Sequence, residues 1–385
     1  MKIYFLFSII KFVFIFSLSA QPKATVYQHN EVLMTPFWDF YSQNNLSAVS
    51  CGKGLTGIAG TNDISGITLN PASLELHSKY EIKAEYSYRS NVNWLTSLGF
   101  NDIYLKQNHP ACGLLFGYKI NDEFQTGFSY RNDINFKFDF GKIVITNEFG
   151  QEFGTVDFFQ TFNTHSFSIP FVWKTKYFKA GIDLNYVLYR GFEMGFIPNS
   201  AVEKDLITTF GRFIPSVGIQ IKPIPELSFG LTYSQGFDKK IVKDWKSIDT
   251  SIHNDTTLTH FPSKFGFGIE LILFKEILKL EADYTFFNTS KLYASKDRND
   301  IYFGLEYSIN KNWFLRTGFF TLYDFRESSG NYIDSVGTYD QYFLTFGAGY
   351  RYKEFGFDLS FINSTIFSNS KVGHSKLNGS ISYSF

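Results

Sequence analysis

The chain has 385 residues, with 36 basic and 36 acidic side chains and a formal net charge of zero. This balance excludes the basic surplus of a nucleic-acid-binding or polybasic membrane-surface protein, and 44% hydrophobic residues exclude a disordered chain. Aromatic residues make up 19% of the sequence, yet the mean hydropathy is only −0.12. This combination indicates strands that alternate apolar and polar side chains, as in a transmembrane β-barrel.

The first 20 residues predict a secretory signal peptide. Lys2 supplies the charged start, an apolar stretch runs to Phe16, and Ser19 and Ala20 offer small residues for cleavage. A retained transmembrane helix is the alternative, but Lys11 interrupts this stretch and no second apolar span of sufficient length follows it. We therefore expect an exported protein.

The next segment, residues 21–78, contains a glycine-rich stretch from Cys51 to Leu76. Its glycines are too dense for a stable helix or a regular strand; they are Gly52, Gly54, Gly57, Gly60 and Gly66. Asn70-Pro71 then favours an extended or turn geometry before the first strand. A leader loop is one interpretation. If the rest of the chain closes into a barrel, a compact hatch or plug inside it is the other, and we predict the plug.

The two cysteines, Cys51 and Cys112, leave two possibilities open. In an exported chain they can pair and tie the N-terminal segment to the second strand. They can equally remain free as small buried residues. A chain of 385 residues does not need a single disulfide for its stability.

Residues 79–385 show a regular alternation of apolar and polar side chains. From Phe355 to Phe361, for example, the residues at every second position are Phe, Phe, Leu and Phe, and those between are Gly, Asp and Ser. About fourteen such segments occur, near residues 79–88, 111–119, 124–138, 162–174, 178–189, 211–222, 227–235, 259–273, 277–287, 300–308, 313–323, 341–352, 355–362 and 375–385. The predicted fold is all-β: a transmembrane antiparallel β-barrel of about 14 strands with the N-terminal plug inside it.

The connections between these segments alternate between short and long. Short turns are predicted at residues 120–122, 175–176, 223–225, 275–276, 310–312 and 353–354, and long loops near residues 89–110, 139–161, 190–210, 236–258, 288–299, 324–340 and 363–374. Outer-membrane barrels have short periplasmic turns and long external loops. The terminal Phe385, which closes the last alternating segment, is typical of bacterial barrels that the barrel-assembly machinery inserts.

An exported chain with a glycine-rich segment, Asn70-Pro71-Ala72 and then about fourteen strands resembles the long-chain fatty acid transporters of the outer membrane, a family that includes channels for aromatic hydrocarbons. The likeness at motif level covers residues 54–72, GLTGIAGTNDISGITLNPA. Residues 21–50 have no counterpart that we can assign in the family. The resemblance implies a multi-pass protein of the outer membrane of a Gram-negative bacterium.

The family resemblance also implies a function and a set of residues. The protein would pass hydrophobic small molecules, such as fatty acids or hydrocarbons, and would contact outer-membrane lipid. Its hatch would gate this passage, and the candidate gating residues are Gly54, Gly57, Gly60, Asn70, Pro71 and Ala72. Members of this family release ligand sideways at a kink in the third strand.

In this chain the candidates for such a lateral port are Gly127, Asn132 and Asp133. Asn132 belongs by alternation to the predicted lipid-facing set of the third strand. A polar residue facing hydrocarbon is unfavourable unless the strand bends or ends there. Two interpretations follow: either the strand has simply reached the outer headgroups at Asn132, or it kinks there, with Gly127 admitting the plug backbone.

Other function classes fit the sequence less well. Some members of the same barrel family belong to the type IX secretion machinery, so a structural or secretion-associated role remains the alternative to transport. An open hydrophilic porin has no use for a plug. The seven histidines are scattered, and His374 and Ser375 are adjacent and so face opposite sides of a strand. We therefore expect no enzyme, no catalytic residue, no metal site, no cofactor and no nucleic-acid partner.

Overall fold

The structure is a computed structural model. It describes residues 46–60, 63–89, 92–94, 103–107, 110–132, 135–146, 152–196, 202–247, 252–291, 295–323, 325, 340–364, 366 and 375–385. Predictions for the signal peptide and for residues 21–45 of the plug lie outside these ranges.

The described residues form nineteen strand segments in one sheet. They are β1 (Tyr80–Arg89), β2 (Val92–Trp94), β3 (Ile103–Gln107), β4 (Ala111–Lys119), β5 (Phe124–Arg131), β6 (Asn135–Thr146), β7 (Glu152–Lys174), β8 (Phe178–Phe196), β9 (Val202–Ile224), β10 (Leu227–Ser234), β11 (Phe237–Ser247), β12 (Ile252–Phe261), β13 (Lys264–Leu273), β14 (Leu278–Phe287), β15 (Arg298–Ser308), β16 (Trp313–Leu322), β17 (Gln341–Tyr352), β18 (Phe355–Asn363) and β19 (Ser375–Ser384).

Five pairs of successive segments are the two halves of one strand: β1 with β2, β3 with β4, β5 with β6, β10 with β11, and β12 with β13. The nineteen segments therefore make fourteen antiparallel strands. β1 pairs with β19 from Glu81↔Ser384 to Arg89↔Lys376, which closes the sheet into a barrel. The predicted all-β barrel of fourteen strands is confirmed.

The two faces of the barrel wall differ in polarity as the alternation predicted. In β18 the side chains of Phe355, Phe357 and Leu359 are exposed on the outer face. Asp358 and Ser360, between them, are buried on the inner face. A lipid bilayer solvates the first set, and only an interior that supplies hydrogen-bond partners tolerates the second.

One end of the barrel carries the short turns and the C-terminus, and we call it the turn end. Phe385 exchanges two backbone hydrogen bonds with Tyr80, at 2.9 and 3.0 Å, and their rings stack at 5.3 Å. Trp313 packs on Tyr350 near a neighbouring turn, at 4.6 Å between ring centroids. These rings fit the aromatic girdle of a membrane interface.

The opposite end, which we call the loop end, differs from the prediction. Residues 139–161, 190–210 and 236–258 are mostly strand rather than loop, because β6 to β9, β11 and β12 extend into them. β7 and β9 have 23 residues each, about twice the 9–11 that a membrane strand needs. At the turn end, β9 reaches Ile224, so the predicted turn at 223–225 begins too early.

In residues 46–76, the described chain before the barrel strands, there are three short helices. They are the α-helix α1 (Ala48–Gly52) and two 3₁₀ helices, Ile64–Thr68 and Pro71–Ser73. In the part of the chain that the structure describes, no helix has the length and apolarity to cross a membrane. α1 packs against β16 to β19, and Pro71–Ser73 packs against β7 to β9, so this segment lies inside the barrel.

Candidate functional site

Asn70 organises the turn that ends the plug. Its backbone is extended, and its Oδ1 accepts a hydrogen bond of 2.9 Å from the Ala72 amide, which caps the helix that begins at Pro71. Pro71 stands at the first helical position, where a missing N–H costs nothing. The side-chain amide of Asn70 donates to the carbonyl of Ile58 at 2.7 Å and to that of Ile219 in β9 at 3.2 Å. One buried side chain thus joins two plug segments to the barrel wall.

Gln220 of β9 supports the same turn from the wall. Its Nε2 donates to Ser73 Oγ at 2.7 Å and to the Ile58 carbonyl at 3.1 Å. Ser73 Oγ in turn donates to the Gly57 carbonyl at 3.1 Å. Because all these groups are buried, each bond that is lost leaves an unsatisfied polar group.

The plug backbone rests on glycines of the barrel wall. A Cβ at Gly181 or Gly218, which are directly paired in β8 and β9, would overlap the Asn70-Pro71-Ala72 turn. The pairs Gly230↔Gly268 and Gly304↔Gly318 form similar platforms under residues 58–59 and 53–54. Glycine is required at these positions because backbone meets backbone there.

The predicted hatch glycines lie at this interface. Gly54 has φ +66° and donates its N–H to Thr345 Oγ1 at 2.9 Å. Gly57 has φ +145°, and its N–H donates to Asp283 Oδ2 at 2.8 Å. A Cβ at Gly60 would overlap the carboxylate of Glu270. All six predicted hatch residues, the three glycines and the Asn70-Pro71-Ala72 turn, therefore lie where the plug meets the wall.

Four buried or half-buried ion pairs also connect plug and wall. Lys53 pairs with Glu281 of β14, and Asp63 with Lys83 of β1 at 2.6 Å. Glu75 pairs with both Lys174 of β7 and Lys179 of β8, and the Lys174–Glu75 distance is 2.5 Å.

These partners determine the ionisation of the plug carboxylates. Burial alone would raise the pKa of Glu75, but the ammonium groups of Lys179 and Lys174 outweigh it and lower this pKa to about 2. Burial also opposes ionisation of Asp63, yet Lys83 holds its pKa below the usual value. Both plug carboxylates are therefore charged at neutral pH.

The lumen becomes apolar toward the loop end. Cys51 and Leu55 of the plug pack there with a buried set of wall residues, namely Tyr302, Phe320, Leu322, Phe343 and Ile362. The rings of Phe320 and Phe343 stack at 4.4 Å. A second group of rings, which we call the aromatic cluster, consists of Tyr189, Phe210, Phe237 and Phe261, with centroids 4.4 to 6.5 Å apart.

The third strand is described in two segments. β5 ends at Arg131 and β6 begins at Asn135. Against β7 the register changes from Arg131↔Ser166 to Asn135↔Asn163, so the third strand carries one extra residue. Such a bulge bends a strand. Asp133 lies outside the described residues.

Two features of the lateral-port prediction are wrong. Asn132 is only 1% exposed and does not face lipid, because the bulge leaves both Arg131 and Asn132 buried. Its Nδ2 donates to the Thr164 carbonyl at 2.7 Å and to Asn163. The backbone close to Gly127 is that of Phe116 in β4 rather than the plug.

The ladder between β5 and β7 has a second weak point. Paired residues stop at Thr126↔Phe171 and resume at Ser129↔Ser168. Pro170 occupies the gap on the β7 side and has no N–H to donate to the ladder. We call the β5–β7 contact from Thr126 to Asn132 the seam.

The cysteines are separate thiols: Cys51 is buried in the plug and Cys112 is exposed on β4. Among the residues that the structure describes, no group of His, Cys, Asp and Glu side chains is arranged to hold a metal ion.

The wall glycines and Gln220 were missed in the sequence. Each glycine occupies an inward position of an alternating strand, and a glycine within a strand signals close backbone approach. That signal was present, but its partner in the plug was not readable from the sequence.

Neither a protein-family model nor a curated protein matches this chain. Solved structures with a similar fold include a Pseudomonas aeruginosa FadL homologue, at a TM-score of 0.67 and 13% identity, with 88% of this chain and 98% of that chain covered. The Ralstonia pickettii toluene transporter TbuX has a TM-score of 0.67 and 15% identity, with 89% of this chain and 98% of that chain covered. The Pseudomonas putida toluene transporter TodX has a TM-score of 0.64 and 14% identity, with 88% of this chain and 97% of that chain covered.

The predicted resemblance is confirmed at the level of the fold. A closed barrel of fourteen strands with an apolar outer face is the form in which β-proteins cross outer membranes. The chain is therefore a multi-pass outer-membrane protein of the Gram-negative type.

Proposed function

We propose that this protein is a plugged, non-catalytic channel through which hydrophobic small molecules diffuse across the outer membrane. The observation that carries the proposal is the apolar lumen at the loop end, where Phe320, Phe343 and the aromatic cluster lie beyond a polar plug. A hydrophilic pore has no use for such a lining. The solved structures with this fold include toluene transporters, which supports hydrocarbons or fatty acids as the ligand class.

Uptake of a labelled hydrocarbon or fatty acid by intact cells tests this function. Phe320→Gln places an amide in the apolar lining and should lower uptake, whereas Phe320→Leu keeps the lining apolar and should preserve it. Both variants must show equal surface amounts and heat-modifiable folding. Full uptake by the glutamine variant would contradict a hydrophobic path at this position, and no uptake by the parent protein would favour the secretion-associated alternative.

The proposed gate is the plug, and we expect the turn at Asn70-Pro71-Ala72 to hold it closed. This turn is held by hydrogen bonds to Ile58 and Ile219, so its loosening frees the plug from the β8–β9 wall. The double substitution Asn70→Ala with Pro71→Ala should change the uptake rate while the barrel stays folded. Unchanged uptake at equal surface expression would argue against gating.

The proposed exit is lateral, at the seam, with Gly127, Asn132 and Asp133 as its candidate residues. The bulge before Asn135 and the missing donor of Pro170 support this proposal, because both reduce the backbone hydrogen bonds that hold β5 to β7. An apolar ligand that leaves there enters lipid without passing the charged turn end.

A disulfide across the seam tests the exit. Ser129 and Ser168 are paired, with 2.7 Å between their hydroxyl oxygens, so Ser129→Cys with Ser168→Cys should cross-link and slow uptake until it is reduced. The matched control is Ser360→Cys with Asn378→Cys, a pair across the continuous β18–β19 ladder, which should leave uptake unchanged. Equal uptake by both oxidised proteins would exclude release at the seam. Contacts with outer-membrane lipid and with the barrel-assembly machinery belong to the same proposal.

A further inference from the structure

The barrel wall has a second interruption, far from the seam. β9 pairs with β10 from Ile224 to Ser216, and with β11 only at Glu203 and Val202. The intervening residues, 204–214 of β9 and 237–245 of β11, form no ladder pair with each other, although β9 remains paired with β8 and β11 with β12. The two strands therefore separate and meet again at their tips. We call this opening the slit.

Interruptions in two neighbouring strands explain the slit. The strand made of β10 and β11 is interrupted at Gly236, and the strand made of β12 and β13 is interrupted at the same height at Pro262. A Cβ at Gly236 would overlap the backbone around Pro262. Proline lacks the donor that would continue the ladder. β11 and β12 thus turn away from β9 together. A hydrogen bond of 3.2 Å from the Gln235 amide to the Pro215 carbonyl closes the lower end.

The slit is lined by aromatic rings. On the inner face, Phe210 of β9 and Phe237 of β11 lie on its two sides, 6.5 Å apart and roughly perpendicular. They are continuous with Tyr189 and Phe261, the rest of the aromatic cluster. No ladder pair joins residues 204–214 to residues 237–245, and the rings of Phe210 and Phe237 can change rotamer without breaking a sheet.

Two cations lie over these rings. The Arg212 guanidinium is 5.4 Å from the centroid of Phe237, and the Lys239 ammonium is 5.2 Å from that of Phe210. Neither forms an ion pair with any residue that the structure describes. The nearest acidic side chain in sequence, Asp238, bonds instead to His260. The lining therefore combines an apolar surface with two positive charges that have no acidic partner among the described side chains.

The slit lies at the height of the outer headgroups. Pro215, at its lower end, is nine positions from Ile224 (215 to 224), and a membrane strand needs about 9–11 residues. Phe213, just above Pro215, is 68% exposed on the outer face and packs against Tyr186 at 5.0 Å. Apolar rings thus line the slit on the lipid side as well as on the lumen side.

We propose that the slit is a binding and entry site for amphiphilic small molecules with an apolar tail and an anionic head. The tail enters between Phe210 and Phe237, and Arg212 and Lys239 bind the head. This inference rests on the proposed function and adds to it a side entrance from the outer surface and a charge preference. It assigns entry to the β9–β11 wall, on another part of the barrel than the exit proposed at β5–β7.

Photo-labelling of the purified full-length protein tests the site. The probes are a diazirine-bearing long-chain carboxylic acid and its methyl ester, which differ only in the charge of the head. The acid should label peptides that contain residues 209–215 or 235–240. Arg212→Gln with Lys239→Gln should reduce labelling by the acid about tenfold, a 1.4 kcal/mol loss, and leave labelling by the ester unchanged.

A control variant removes the same charge elsewhere. Lys176→Gln with Lys311→Gln alters two exposed lysines at the turn end and should change neither labelling. Equal labelling of the parent and the slit variant by the acid, or labelling confined to other peptides, would overturn the proposal.

An uptake measurement separates this inference from the proposed function. Arg212→Cys with Lys239→Cys, in a Cys112→Ser background, should take up less of the acid than the parent protein because both cations are lost. Bridging this variant with a short bis-maleimide should then lower its uptake of the methyl ester severalfold relative to the same variant before bridging. Undiminished uptake after complete bridging would refute the side entrance while leaving the channel function intact. If the parent protein is labelled at the slit by the acid but takes up neither probe, the channel function is refuted and the binding site still stands.

Discussion

At the residue scale, the plug is held where main chain lies against main chain. Gly181 and Gly218 admit the Asn70-Pro71-Ala72 turn to the wall, and Asn70 then uses its side chain for the remaining backbone groups. The two features depend on each other. Without a Cβ the wall attracts little by hydrophobic contact, so hydrogen bonds must supply the specificity of the fit.

Gly218→Ala should destabilise the protein and expose the plug. The new Cβ would overlap the carboxamide of Asn70, and overpacking of this kind costs about 1–3 kcal/mol. The matched control is Gly379→Ala, because a Cβ at Gly379 meets its nearest atom, the Asp358 carbonyl oxygen, at 4.0 Å. Denaturant titration and limited proteolysis of the folded protein should separate the two variants. Equal midpoints would show that the platform has no steric role.

The two thiols should differ in reactivity. Cys51 is buried, and this desolvation raises the pKa of its thiol, although Lys376 opposes the effect. Cys112 is exposed on the outer face of β4. In detergent, N-ethylmaleimide should modify Cys112 first and Cys51 only after denaturation, as peptide mass spectrometry can measure. Early modification of Cys51 would mean that the plug leaves its site.

At the scale of elements, the plug and each wall segment are joined by a different kind of contact. The helix Pro71–Ser73 and its cap Asn70 are attached to β9 by hydrogen bonds. The chain after the helix is attached by charge, because Glu75 bridges Lys174 of β7 and Lys179 of β8. Charge gives this attachment a dependence on pH.

Acid should weaken the Glu75 attachment. Because the folded-state pKa of about 2 is lower than the value of about 4.3 for an unperturbed glutamate, the ion pairs stabilise the fold above the unfolded pKa. That contribution, at most about 3 kcal/mol, is lost as the pH falls from about 4.3 to about 2. Glu75→Gln should therefore flatten the pH dependence of stability in this window. An identical dependence in both proteins would assign it to other groups.

The membrane-spanning elements were predictable from the sequence, because lipid requires an apolar side chain at every second position of a strand. β7 to β9 extend beyond the length that a bilayer needs, and there lipid no longer requires an apolar side chain at every second position, so these extensions were predicted as loops. Asn132 was assigned to the wrong face because a one-residue bulge resets the alternation.

The remaining errors concern contacts between distant parts of the chain. Gly181 pairs with Gly218, and the two lie against the Asn70-Pro71-Ala72 turn, which is more than a hundred residues away in sequence. The slit likewise depends on the coincidence of Gly236 with Pro262 in paired strands. Alternation identifies which face a residue occupies, but register decides which residues share a site.

At the scale of the whole molecule, the wall has two interruptions and the lumen has two regions. The charged region at the turn end is occupied by the plug, and the apolar region lies toward the loop end, next to the slit. A ligand that enters at the slit and leaves at the seam would meet aromatic rings first and would avoid the charged contacts of the plug. We therefore expect the plug to act as a barrier to ions and water at the turn end.

Deletion of residues 46–76 tests that barrier. Without them, Glu281, Asp283 and Lys83 lose the plug groups that now pair with them, and water should solvate these charges instead, because a barrel of this size can hold a channel. The parent protein should show little ion conductance in planar bilayers, and the deletion variant should conduct like a porin. Heat-modifiable folding must first show that the variant barrel has assembled. A variant that is folded but conducts no more than the parent would mean that residues outside this segment close the lumen.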